Sequence, residues 1–303
     1  MDFAIQRCCV TPIYLKSYNS STDAVLKALD IGLVDIKEFN CCGYPLKDID
    51  LKAHVLASAR NMSLAEKRSL DVMTFCNCCY ESLKEAKQLL GEDESLKRDV
   101  NGKLMKEGLE YGGTTGVRHL LEVLYNDVGL EALKEKMVMS FKGLKIAVHY
   151  VCHILRPRQL VQFDDPGTAR VFDQLVEITG AEIVPWEAQL DCCGAPVWGI
   201  DDDLSMDLTQ KKTKDARQSG ADFLCVACAY CQVQFDRVQK MLLSRRGEDK
   251  ALPSILFTQL LGLSLGVDSE TLGIGQNELD AEGITHFLSP EESPTQSYGS
   301  STP

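Results

Sequence analysis

The sequence predicts an α/β protein made of two pseudo-duplicated halves, each with a small parallel sheet and each carrying one Cys-Cys-Gly motif. Three observations lead there. The chain has 13 cysteines in 303 residues. Their spacing occurs twice in the same order: Cys9, Cys41-Cys42, Cys76 and Cys79 are echoed by Cys152, Cys192-Cys193, Cys228 and Cys231, with offsets of 143, 151 and 152 residues. Short apolar runs alternate with segments of helical spacing around both sets, as in α/β units with parallel strands. An offset of this size is a duplication at domain scale and not a short solenoid period. The composition is that of a folded chain, 45% hydrophobic and 25% charged, which excludes disordered and collagen-like classes. A net charge of −12 argues against a nucleic-acid partner, which calls for a basic surplus.

The elements follow in order. Residues 3–7 and 144–150 read as strands leading into Cys9 and Cys152; Ile146-Ala147-Val148 is apolar and begins shortly after a glycine. Residues 20–29 and 168–179 place Val25, Leu26 and Leu29, and Val171, Phe172, Leu175 and Val176, at helical spacing. A short apolar run follows each helix, at 33–36 and 181–184. Next come the turns Cys41-Cys42-Gly43-Tyr44-Pro45 and Cys192-Cys193-Gly194-Ala195-Pro196, both C-C-G-x-P. Helices are expected over 51–64 and 204–218, strands over 71–75 and 222–226, then the C-x2-C pairs and helices over 80–90 and 232–243. Residues 92–142 read as mostly helical, interrupted by Gly112-Gly113. The domains are therefore expected as 1–142, an N-terminal Cys-Cys-Gly domain with a helical insertion; 143–267, a C-terminal one; and 268–303, a polar and largely disordered tail.

The start of the chain lacks a secretory signal pattern. The longest uncharged apolar stretch, 251–267, is shorter than the roughly 20 residues of a spanning helix and reads as a packed core helix. The expected protein is cytoplasmic and not membrane-spanning. Thiols stay reduced in that compartment, so 13 cysteines point to metal or redox chemistry rather than structural disulfides.

Five cysteines from three turns suit one tetrahedral zinc poorly, because zinc takes four ligands. Adjacent residues have Cα atoms about 3.8 Å apart, so neighbouring thiolates can reach two irons of one cluster. Ordinary cubane or plant-type clusters use four cysteines at tighter spacing, so a larger or distorted iron–sulfur cluster fits better. Gly43 and Gly194 are expected to tolerate positive φ and close backbone approach to the inorganic core. Pro45 and Pro196 stiffen the turns. Cys79 and Cys231 sit at expected helix N-termini, where free N–H groups favour anionic sulfur. A lone C-x2-C is also a thioredoxin-type pair, and a free cysteine is often a small buried hydrophobe. Neither accounts for ten cysteines in two matched sets.

At these motifs the chain resembles the heterodisulfide reductase B-subunit family of cysteine-rich CCG-domain proteins. Cys76-Asn77-Cys78-Cys79-Tyr80 is similar to the family's C-N-x-C-Y turn, and the segment from His149 through Cys152, His153, Arg156 and Pro157 to its H-Y-x-C-H-x-L-R-P string. The resemblance covers roughly residues 3–266. It implies two non-cubane [4Fe-4S] clusters facing a common cleft, one held by Cys9, Cys41, Cys42, Cys76 and Cys79, the other by Cys152, Cys192, Cys193, Cys228 and Cys231. It implies reductive cleavage of a small-molecule disulfide between them. It also implies assembly with two further proteins, a flavin- and cluster-bearing A-type subunit and a ferredoxin-like C-type subunit. Cys8 stands where the family often has glycine and is an alternative to Cys9. Cys78 and Cys225 read as buried bystanders, as does Cys8 when it is not a ligand.

Cleaving a disulfide takes two electrons and two protons, and soft iron sites stabilise the thiolates released. His153 is the candidate proton donor, against a packed or hydrogen-bonded histidine; His149 reads as structural. Arg156 and Arg158 are candidates to meet an anionic substrate group. The alternative function is an electron-transfer iron–sulfur subunit of a respiratory or sulfur-metabolism complex without disulfide cleavage. An assembly scaffold and a zinc module are the remaining readings.

Overall fold

The computed structural model describes residues 1–247 and 250–291. β1 (Asp2–Gln6), β2 (Gly32–Val34), β3 (Asp71–Thr74) and β4 (Val117–His119) form a parallel sheet in the order β2-β1-β3-β4. β5 (Met139–Phe141) leads toward the second half. There β6 (Lys145–Val148), β7 (Glu182–Ile183), β8 (Phe223–Val226) and β9 (Ser254–Leu256) repeat the topology as β7-β6-β8-β9, again parallel. The registers correspond as well: Phe3 pairs with Asp71, and Ile146 with Phe223. Those partners differ by the 143 and 152 residues that separate the cysteines. The duplication read from thiols is therefore a duplication of the whole sheet.

The central strands are buried along nearly their whole length (Ala4, Ile5, Val72, Met73, Ile146 to Val148, Leu224 to Val226). That is the apolar-run pattern of parallel strands covered by helices. The principal helices, Lys16–Ala28, Leu51–Glu66, Asn77–Glu92, Val171–Glu177 and Asp202–Gln218, lie within a few residues of their expected bounds. One continuous apolar core runs through both halves. Polar contacts also cross between them: Ser21 Oγ and Thr258 Oγ1 lie 2.7 Å apart, and the Tyr80 hydroxyl donates to the Val161 carbonyl at 3.1 Å.

The structure departs from expectation in three places. Helices such as Glu94–Leu104 do fill much of 92–142, but β4 and β5 interrupt them; each has three residues, too few to show an alternating period. The stretch 251–267 is β9 followed by the helix Phe257–Ser264; both are buried, so hydropathy could not separate strand from helix. The third place is the tail. Residues 268–291 are packed: β10 (Leu288–Pro290) pairs antiparallel with β5, and Leu272, Ile274, Ala281 and Ile284 are buried. Polar side chains hold this segment by its backbone. Gln259 Nε2 donates to the Leu272 and Gly273 carbonyls at 3.2 and 3.3 Å, and Asp236 accepts the Glu278 and Leu279 N–H groups at 2.8 Å. Residues 292–303, the rest of the expected tail, lie outside the described residues.

Candidate metal centres and the cleft between them

Each C-C-G-x-P segment turns at a left-handed glycine, with φ of 89° at Gly43 and 95° at Gly194. A Cβ at Gly43 would meet the His54 carbonyl oxygen at 2.9 Å, and one at Gly194 the Ser205 carbonyl oxygen at 2.6 Å. The close approach that requires glycine is thus to the following helix. Asp50 and Asp201 cap those helices alike, each accepting the N–H three residues on at 3.0 Å. Further along the same helices, Ser58 and Thr209 donate to the Cys42 and Cys193 carbonyls at 2.6 and 3.1 Å. Cys76 and Cys228 are N-caps, which puts Cys79 and Cys231 in the first turns of their helices, where backbone N–H groups lack helical partners.

In the N-terminal half the thiols of Cys8, Cys76 and Cys79 lie within 4.8 Å of one another and are buried. Cys42 neighbours Cys79 and Cys41, and Cys41 neighbours Cys9 at the exposed edge. All five expected ligands therefore share one sulfur-rich patch, and Cys8 enters it more deeply than Cys9. Cys78 contacts Cys76 and also faces the other half, where Cys228 acts on it electrostatically. In the C-terminal half the Cys231 and Cys193 sulfurs are 3.4 Å apart, Cys193 neighbours Cys192, and Cys231 neighbours Cys228. Cys152 starts the helix Cys152–Leu155 at the cleft wall. Cys225 lies inside β8, and burial alone raises its thiol pKa. Cys225→Ala is accordingly expected to leave iron content unchanged and cost about 1 kcal/mol of stability, as read by iron analysis and thermal unfolding.

The donor set fits a thiophilic metal. Hydrogen bonds from Cys41 and Cys79 hold the Cys42 thiol well below the usual range, and those from Cys192 and Cys231 do the same for Cys193. Their donors Cys79 and Cys231 are pushed up in turn. Buried sulfurs this crowded concentrate negative charge in apolar surroundings, which a cationic core relieves. The His149 ring lies within 4.8 Å of the Cys193 and Cys231 sulfurs and is buried. Burial lowers its pKa to about 4, so it is neutral. The sequence reading as a structural histidine missed this placement. The signal was its position three residues before Cys152, where Gln6 precedes Cys9.

A cleft of about 510 Å³ opens between the halves. Tyr44 and Pro45 of one turn and Ala195 and Pro196 of the other line it, with Cys78 from the N-terminal half and Cys152, Cys193, Cys228 and Cys231 from the C-terminal half. Ile49 and Ile200, equivalent residues 151 apart, also line it and are both highly exposed. His153 is held at the wall: Nε2 lies 3.3 Å from the Tyr44 hydroxyl and Nδ1 3.6 Å from the buried Glu81 carboxylate. Burial opposes its charge, but Cys152 and Glu81 outweigh burial and raise its pKa to about 10. Glu81 also pairs with Lys47. Arg158 pairs with Asp165 at 2.9 Å on the surface, and neither Arg156 nor Arg158 lines the cleft. Tyr44, Glu81 and Tyr230, the last also lining the cleft, were not singled out by the sequence; Glu81 directly follows the C-N-x-C-Y string, the one cue to it.

The Cysteine-rich domain (CCG) family matches the chain twice, over residues 3–84 and 146–236. The B subunit of the ferredoxin/F(420)H(2)-dependent CoB-CoM heterodisulfide reductase of Methanosarcina acetivorans is 35% identical over 90% of this chain and 92% of its own. The chain belongs to the heterodisulfide reductase B-subunit family. The B subunit of the ferredoxin:CoB-CoM heterodisulfide reductase of Methanosarcina mazei is likewise 35% identical, over 89% of this chain and 91% of its own. The 8-methylmenaquinol:fumarate reductase membrane anchor subunit of Wolinella succinogenes is 34% identical over 92% of this chain and 98% of its own. A crystal structure of a hypothetical protein from Helicobacter pylori superimposes with a TM-score of 0.73 at 16% identity, covering 91% of this chain and 51% of that one; it shares the fold. The chain is thus an iron–sulfur subunit of the heterodisulfide reductase B type, from an oxidoreductase family whose members work within complexes. Among the described residues no helix is long and apolar enough to cross a membrane.

Proposed function

We propose that the chain is the catalytic iron–sulfur subunit of a heterodisulfide reductase-like complex, cleaving a small-molecule disulfide to two thiols in the cleft between its halves. The observation that carries this reading is the cleft itself, lined by the proposed ligands Cys152, Cys193, Cys228 and Cys231 of one half, by Cys78 and the C-C-G-x-P turn residues Tyr44 and Pro45 of the other, and large enough for a small organic molecule. The proposed ligands are Cys9, Cys41, Cys42, Cys76 and Cys79 for one non-cubane [4Fe-4S] cluster and Cys152, Cys192, Cys193, Cys228 and Cys231 for the other. When bound, these clusters supply two single electrons and soft iron sites for the product sulfurs. The overall change is RSSR′ + 2e⁻ + 2H⁺ → RSH + R′SH. The electrons come through a flavin- and cluster-bearing A-type subunit and a ferredoxin-like C-type subunit in the cytoplasm.

The chain's own residues do the rest. The two C-C-G-x-P turns fix the cleft width, and their prolines and tyrosine exclude water from the scissile bond. His153 carries a proton at the wall, kept in place by Glu81 and Tyr44. His153→Ala is expected to lower disulfide turnover about 10²-fold, the lower range for a proton donor, with iron content unchanged; unaltered turnover would leave His153 a packing residue. The direct test of the function supplies anaerobically purified, iron-loaded protein with a low-potential reductant and small disulfides, and counts thiols released. Iron equal to two four-iron clusters with thiol release is the expected result. Iron for no more than one cluster defeats the two-cluster chemistry.

A second reading is an electron-transfer subunit without disulfide cleavage. It is favoured by the Wolinella relative, whose name states a quinol and fumarate. Eight irons without thiol release would select it.

A further inference from the structure

The two halves present the same scaffold to their thiols but differ in charge at equivalent positions, and one of these differences is fully buried. In the N-terminal half Asn61 is fully buried, and its Nδ2 donates to the Asn40 carbonyl at 2.9 Å and to Gln6 Oε1 at 2.7 Å. Asn40 immediately precedes Cys41-Cys42. In the C-terminal half, 151 residues on, Lys212 occupies the place of Asn61 and Asp191 that of Asn40. Lys212 Nζ donates to the Asp191 carbonyl at 2.9 Å and to the Ala188 carbonyl, and sits 4.6 Å from the centre of the Trp186 ring. Two carbonyls and an aromatic face are the partners of an ammonium. Gln6 in turn is replaced by the neutral His149.

Lys212 is 1% exposed. The Asp191 carboxylate is engaged by exposed Lys211 at 3.0 Å. Burial lowers its pKa to about 8 against the pull of Cys193, Cys231 and Asp191, and it is the two carbonyl acceptors and the ring face that hold the ammonium charged. The cations near the first set of thiols are instead matched by carboxylates: Arg7 by Asp23 and Asp35, Lys47 by Glu81 and Glu85. A buried cation whose hydrogen bonds go to carbonyls and not to a carboxylate acts on its surroundings through a low dielectric. Adding an electron to a nearby iron–sulfur centre adds negative charge, so such a cation raises its reduction potential.

We propose that Lys212 is a positioning residue for charge, holding the C-terminal centre at a higher reduction potential than the N-terminal one, which has neutral Asn61 in its place. The inference rests on the reading that each half holds an iron–sulfur centre. Its consequence is that a single electron entering the subunit settles on the C-terminal side, next to the four thiols of that half that wall the cleft.

The test is an anaerobic redox titration of the iron-loaded protein with dithionite, following both centres by electron paramagnetic resonance. Cys42→Ser and Cys193→Ser assign the two signals. Lys212→Met keeps the side-chain bulk and removes the charge. It is expected to shift the C-terminal reduction equilibrium about tenfold toward the oxidised form, 59 mV for a one-electron couple, and to leave the N-terminal midpoint in place. Lys212→Arg should restore most of the shift. Lys212→Gln, which still donates to a carbonyl, replaces the methionine variant if that fails to fold. A C-terminal midpoint that stays put, or two midpoints that move together, overturns the proposal. Iron analysis before titration separates this from failure of the two-centre reading, since a protein with one centre declares itself by its iron content.

Discussion

Cys193→Ser is expected to remove about half of the bound iron and one of two magnetic signals, because the thiolates supply most of a cluster's binding energy. The effect should be among the largest of any single substitution. Cys193 is buried, touches Cys231 at 3.4 Å and is a neighbour of Cys192, so it ties the Cys-Cys-Gly turn to the C-x2-C helix. Serine keeps the volume but offers a hard oxygen of high pKa, which iron binds weakly. Cys42→Ser should do the same to the other half. Paired Cys8→Ser and Cys9→Ser variants decide which of that pair belongs to the N-terminal centre: Cys8 lies within 4.8 Å of Cys76 and Cys79, whereas Cys9 is exposed beside Cys41. Iron content and optical absorbance under argon measure all four. If Cys193→Ser keeps its full iron, the assignment of this thiol is wrong.

Gly194→Ala is the second large effect and acts through the backbone. A left-handed φ of 95° costs an alanine about 1–2 kcal/mol. The new Cβ would also stand 2.6 Å from the Ser205 carbonyl oxygen, a backbone atom that cannot turn aside, and such overpacking adds about 1–3 kcal/mol. The sum should lower the melting temperature by roughly 3–8 °C and displace Cys193 from Cys231, so that the C-terminal centre is lost as well. Gly199 provides the control. Its φ of 85° is also left-handed, but a Cβ there meets nothing within 4 Å. Gly199→Ala should therefore show the conformational cost alone, with iron retained. Equal effects at the two glycines would mean that the contact with the helix Asp202–Gln218 does not matter.

The duplication, the succession of strands and helices around each Cys-Cys-Gly turn, and the two patches of thiols can all be read along the chain. They are legible because they are local: an apolar run, a helical period and a left-handed glycine each act over a few residues, and the second copy checks the first. Short or fully buried elements are not. β4, β5 and β9 carry three residues apiece, and they are strands because a neighbouring strand was there to pair with. The segment 268–291 has no apolar period, yet Leu272, Ile274, Ala281 and Ile284 each find the core singly. The cleft exists only once the two halves have packed, and the neutral His149 beside Cys193 and Cys231 and the lysine buried where its counterpart is Asn61 only once the C-terminal half has folded. A lysine in a run of two reads as a solvated face. What makes Lys212 otherwise is desolvation by residues far away in sequence, with Trp186 and the Ala188 and Asp191 carbonyls closing over it. Burial of a charge is a property of the assembled fold, and no window along the chain contains it.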